Sequence, residues 1–135
     1  MKTIIYAVVL MLGSLIYGQE NSTITVAVNN ATSDVGKMHF ALYTKGSFMK
    51  KPDASATGII KDGKTVVTFE NIEPGVYAIL CFQDKNENER MDFELNGMPK
   101  EPYGMSNNEY LMGPPTWEST KFTVKDEPLV IEIRL

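Results

Sequence analysis

Four oxygen-bearing side chains fall close together in one short stretch: Asp84, Asn86, Asn88 and Asp92. In a curled loop, side chains two residues apart can point into one concavity. Hard cations such as Ca²⁺ are held by about six to eight such oxygens. EF-hand loops place ligands at positions 1, 3, 5, 7, 9 and 12. Asp84, Asn86 and Asn88 fill the first three, Arg90 would offer its backbone carbonyl at the fourth, and Asp92 fills the fifth. Two positions depart from that pattern. Glu89 stands where glycine makes the sharp turn, and Leu95 stands where a glutamate would give two oxygens. The spacing therefore predicts a shorter D-x-N-x-N-x-x-x-D loop for Ca²⁺, with further ligands drawn from Glu87, Glu89, Glu94 or Glu101. The plainer alternative is a polar turn, because Asn and Asp bond readily to their own backbone.

The stretch that follows, Asn96–Asn108, is built differently. Gly97, Pro99, Pro102 and Gly104 give a bent, stiff path, and Met98 and Tyr103 are apolar enough to pin it. Glu101, Tyr103, Ser106, Asn107 and Asn108 are its candidate contacts to a peptide, glycan or protein partner. The competing reading is an ordered Ω-like loop closed by its own side chains. Trp117, just beyond, reads as a packing anchor. Other chemistries have little to work with. The single His39 and the single Cys81 sit on separate apolar strands, which leaves zinc without a ligand set. No nucleophile–base pair and no glycine-rich phosphate loop is legible, so the sequence predicts no enzyme.

These loops need a scaffold, and the rest of the chain supplies β-strands. Ser22–Val28 and Lys37–Thr44 alternate apolar and polar residues with a period of two. Gly58–Lys61 and Lys64–Phe69 flank Asp62-Gly63, a two-residue hairpin signal. Val76–Gln83 is apolar on both faces, as expected of a central strand from whose end Asp84 would be launched. Glu118–Val124 and Leu129–Leu135 complete about seven strands with no helix, which predicts an all-β antiparallel sandwich. Lys50–Ala56, interrupted by Pro52, reads as a loop.

The N-terminus has the layout of a secretory signal peptide: Lys2, an apolar run from Ile4 to Ile16, and a polar turn after Gly18. Residues 1–18 are thus expected to be removed, leaving 19–135 as one domain in the periplasm or outside the cell. The apolar run is shorter than the roughly 18–20 residues of a membrane span, and no such span recurs downstream. Loss of Lys2 takes the net charge from −4 to −5, a poor match to nucleic acid. With one cysteine there is no internal disulfide, so burial alone must hold the domain.

Four segments together carry a family resemblance: F-E-N-I-E-P-G-V-Y-A (69–78), D-K-N-E-N-E-R-M-D (84–92), N-G-M-P-K-E-P-Y-G-M-S-N-N (96–108) and G-P-P-T-W (113–117). The chain resembles the DUF2141 family of small exported bacterial proteins over essentially all of its mature length. That resemblance implies an immunoglobulin- or transthyretin-like sandwich and brings no established activity. In the family pattern the first loop reads D-x-N-G-N-G-x-x-D, so Glu87 and Glu89 stand at glycine positions. Either they add charge around a cation, or the tight turns have been lost.

Overall fold

The computed structural model describes residues 21–110 and 112–135; the expected signal peptide lies outside them. Alternation sets the architecture. Ile24, Val26 and Val28 of β1 (Ser22–Val28) and Met38, Phe40 and Leu42 of β2 (Lys37–Tyr43) all point inward and are buried. β3 (Ala54–Ile59) and β4 (Thr65–Ile72) follow, joined through Asp62-Gly63. That turn has φ of 54° and 74° at its two central residues, and both of their amides donate to the Asp34 carboxylate. β5 (Gly75–Asp84) is the longest strand. The chain then makes its long excursion and returns as β6 (Tyr103–Met105), a turn at Ser106–Asn108, a single helical turn α1 (Trp117–Thr120), β7 (Phe122–Val124) and β8 (Leu129–Ile133).

Two sheets enclose one core. The smaller has the order β4-β1-β8, and the larger has the order β3-β2-β5-β6, with β7 pairing the start of β5. The all-β sandwich is thus the fold, and β5 sits inside its sheet, flanked by β2 on one edge and by β6 and β7 on the other. Ile79 and Cys81 of β5 face the core, and burial pushes the Cys81 thiol up to about 12, leaving it an inert apolar filler.

Four details differ from the sequence expectation. β1 and β8 pair in parallel, not antiparallel. β3 begins at Ala54, inside the segment expected to be a loop, because small residues there still pair with Ala41 and Leu42. The strand expected from Glu118 starts only at Phe122, because Thr116 and Ser119 form a reciprocal capping box that turns Trp117–Thr120 into helix. β6 is an additional strand within the polar excursion. Trp117 packs edge-on against Phe48, which in turn packs on Tyr43.

Candidate functional site

Asp84 is the last residue of β5 and is fully buried. A buried carboxylate must be satisfied or neutralised, and three donors reach this one. Asn88 N–H donates to Oδ1 at 3.2 Å and Glu89 N–H to Oδ2 at 2.7 Å. His39 Nε2, on the neighbouring strand, lies 2.8 Å from Oδ2. Burial pushes the carboxyl up, but the His39 bond and the Glu89 and Asn88 amides together outweigh it and hold Asp84 below its ordinary value.

Those amide bonds curl the chain back onto its own start. Closing the curl requires left-handed backbone, and Glu87 and Glu89 supply it with φ of 53° and 65°. The tight geometry is therefore kept although glutamates occupy the glycine positions. Inside the curl, Asp92 collects both asparagine amides. Asn86 Nδ2 donates to its Oδ2 at 2.8 Å, and Asn88 Nδ2 lies 3.0 Å from each of its oxygens. The bonds from Asn86 and Asn88 hold the Asp92 carboxyl low. Asn88 Oδ1 accepts from the N–H of Arg90 at 3.1 Å. All five residues expected to form the loop are thus on one small turn.

The chain then folds into a hairpin. Phe93 bridges Pro99, Glu94 N–H donates to Met98 O, and Lys100 N–H donates to Asp92 O at 2.8 Å. Gly97, with φ of 87°, makes the bend. This hairpin carries Leu95 out to full exposure and brings Glu101 back. Glu101 is only 7 % exposed; its carboxylate accepts from Lys85 N–H at 2.8 Å and from Asp92 N–H at 3.3 Å. It fastens both ends of the Asp84–Asp92 curl.

The other expected contact residues separate by orientation. Ser106 is buried; its hydroxyl accepts from Ile79 N–H and donates to Thr120 O. Asn107 Nδ2 donates to the carbonyls of Ser119 and Lys121. Asn108 bonds the edge of β8, donating to Glu132 O and accepting from Arg134 N–H, each at 2.8 Å. Asn107 and Asn108 adopt φ of 70° and 53°, in the left-handed region. These three side chains join β5, α1 and β8, the bonding expected of a loop closed by its own side chains. Tyr103 remains exposed.

His39 is the residue that sequence reasoning placed outside the site. The register pairs it with Thr57 on one side and Phe82 on the other. Its Nδ1 lies 3.1 Å from Thr57 Oγ1, and its ring packs against Phe82 at 5.2 Å. With Asp84 ionised, Nε2 carries a proton toward the carboxylate, and Nδ1 shares the bond with the threonine hydroxyl. The chain Thr57–His39–Asp84 opens on a shallow cleft of about 240 Å³, also lined by Lys37, Glu87 and Glu89. Glu87 and Glu89 make that mouth acidic, with Lys37 beside them, and Asp84 fixes the orientation of the His39 ring.

Among the described residues no three His, Cys, Asp or Glu side chains gather as a metal cluster. A cation at the curl would thus lean on asparagine oxygens as well as on Asp84 and Asp92. Asn86, Asn88 and Asp92 converge within the curl, while both Asp84 oxygens are taken by the Asn88 and Glu89 amides and by His39.

Fold and site together define a small β-sandwich with an elaborate acidic loop rooted on a central strand. The chain belongs to the DUF2141 family, described as "Uncharacterized protein conserved in bacteria", whose profile matches residues 26–132. No curated protein and no solved structure matches it. Among the described residues no helix is long and apolar enough to cross a membrane.

Proposed function

We propose that this is an exported, non-catalytic β-sandwich protein whose Asp84–Asp92 loop binds Ca²⁺ and thereby fixes the hairpin and lip that follow. Export is supported by the Lys2, Ile4–Ile16 and Gly18 pattern at the N-terminus. The observation that carries the calcium reading is convergence: Asn86 and Asn88 both reach Asp92 while Asp84 anchors the same curl. Turning the two amides about their last torsion presents oxygens in place of donors, at the loss of the bond from Arg90 N–H to Asn88 Oδ1. Glu101 gives the coupling, because the N–H groups it accepts from belong to the two ends of the curl, Lys85 and Asp92.

Thermal melting with calcium and with chelator tests the reading. Extracellular modules bind with dissociation constants of roughly 10⁻⁴–10⁻³ M, so ~5 mM calcium should stabilise the fold by about 1–2 kcal/mol. The Asp92→Ala variant should lose that gain. An unchanged melting temperature at this concentration removes the proposal. The second reading is a metal-free envelope or extracellular module that binds a partner, favoured by Phe93, Leu95 and Met98 standing exposed on the hairpin. Under it, replacing those three would abolish partner binding and chelator would change nothing.

A further inference from the structure

At the other side of the lip a second cleft, of about 510 Å³, opens between β6 and the end of β8. That volume falls within the roughly 300–1,000 Å³ typical of small-molecule sites. Its frame is held by bonds from side chain to backbone. Asn108 bonds the backbone of Glu132 and Arg134, and Asn30 bonds Leu135 in both directions at 3.1 Å. Two asparagines thus clamp the backbone on either side of the Arg134 side chain. The floor is apolar, formed by Met105 and Leu135, and Gly104 leaves no room for a side chain: a Cβ there would meet Ile133 Cγ2 at 2.6 Å.

Charge decides what such a cleft suits. Arg134 and Glu109 both line it, yet neither side chain belongs to an ion pair among the described residues, with each other or with anything else. Separated opposite charges over an apolar floor complement a ligand that carries both charges on an apolar body. Tyr103 and Tyr110 stand at the rim, Tyr110 at 91 % exposure, and offer ring faces with a polar tip.

We propose that this cleft binds a short peptide with free termini, its carboxylate on the Arg134 guanidinium and its ammonium on Glu109. Arginine presents a planar fork that matches a carboxylate in a bidentate way. A neutral sugar would use the tyrosines but neither charge, and nucleic acid would find a single cation beside an acidic group.

The test is an amide-shift titration of the isotope-labelled protein with the dipeptide Leu-Phe, its N-acetyl form, its C-amide form, and maltose. The free dipeptide is expected to shift Tyr103, Glu109 and Arg134 with saturation in the millimolar range. Acetylation or amidation should each weaken binding by about tenfold or more, the loss of one charge-assisted contact. Arg134→Gln should erase the difference between acid and amide, and Glu109→Gln that between amine and acetyl. No shift at ~20 mM, a capped peptide binding as well as the free one, or a response to maltose alone overturns the proposal. Self-association through these residues would likewise replace it with a contact between copies. Neither variant touches the Asp84–Asp92 loop, so this result stands apart from the calcium test.

Discussion

Glu87 and Glu89 sit in left-handed backbone because the Asp84 carboxylate pulls the following amides inward. A non-glycine residue there is strained by roughly 1–2 kcal/mol, and glycine gives back part of that through a freer unfolded chain, about 0.4–1 kcal/mol. Glu87→Gly and Glu89→Gly should therefore each stabilise the protein by about 0.5–1 kcal/mol in urea denaturation. The exposed Lys37–Glu87 pair, at 3.8 Å, subtracts little when lost. A destabilised glycine variant would mean that the glutamates contribute something other than strain. Asp84 also sets a pH dependence. Its folded carboxyl is held low, so its stabilisation is complete above the unfolded value near ~3.9 and is lost as pH falls through the lower folded one. Asp84→Asn should lower stability at neutral pH by about 2–3 kcal/mol, since one amide would then face a donor. It should also flatten the acid limb of stability against pH. Asp53 and Asp92, held low by their own hydrogen bonds, leave a residual slope. The curl itself was legible from spacing. The His39 bond to Asp84 was not, because it depends on a strand register joining residues 45 apart.

Ser106–Asn108 joins elements that are far apart in sequence, and its effect is best measured by removing one hydroxyl. Ser106→Ala leaves Ile79 N–H and Thr120 O buried without partners, at about 1–3 kcal/mol for each group. The variant should lose about 2–4 kcal/mol, against about 1 kcal/mol for Asn107→Gly, which keeps the left-handed backbone and whose freed carbonyls reach solvent. Equal, small losses would show that the turn is dispensable. Gly36 makes the same point at the root of the loop. With φ of 75° and a Cβ that would fall 1.9 Å from Asp84 O, Gly36→Ala forces β5 and its neighbour apart. The strands β1 and β2 were legible because alternation over seven residues reports one buried face, and β5 because it is apolar on both. β6 was not, because three residues show no period and this strand exists only through its pairing with Leu80–Phe82 and the Gln83–Pro102 bond. The helical turn α1 was hidden for a related reason: its capping box ends in Ser119, not in the glutamate or glutamine that usually announces one.

Among the described strands, the first and the last are joined. β1 lies between β4 and β8, and its parallel pairing with β8 links residues 24–28 to 129–133. Parallel neighbours cannot be joined by a tight turn, so this contact closes only after the chain between them is in place. Such non-local pairing makes folding slow for the size of the domain. It also makes the C-terminus part of the core: Ile133 is fully buried, and Leu129, Ile131 and Leu135 pack against the same cluster. Burying one such side chain completely is worth about 1.5–3 kcal/mol, so the four, three of them partly exposed, contribute on the order of 5 kcal/mol. Loss of the β1–β8 ladder adds to that, against a total stability of about 5–15 kcal/mol for a domain. A chain ending at Pro128 should therefore be unfolded at 25 °C, seen as loss of the strand signal in far-ultraviolet circular dichroism. If that chain instead melts cooperatively within a few degrees of the full protein, the β4-β1 pair and the larger sheet are sufficient, and β8 is only an edge cover.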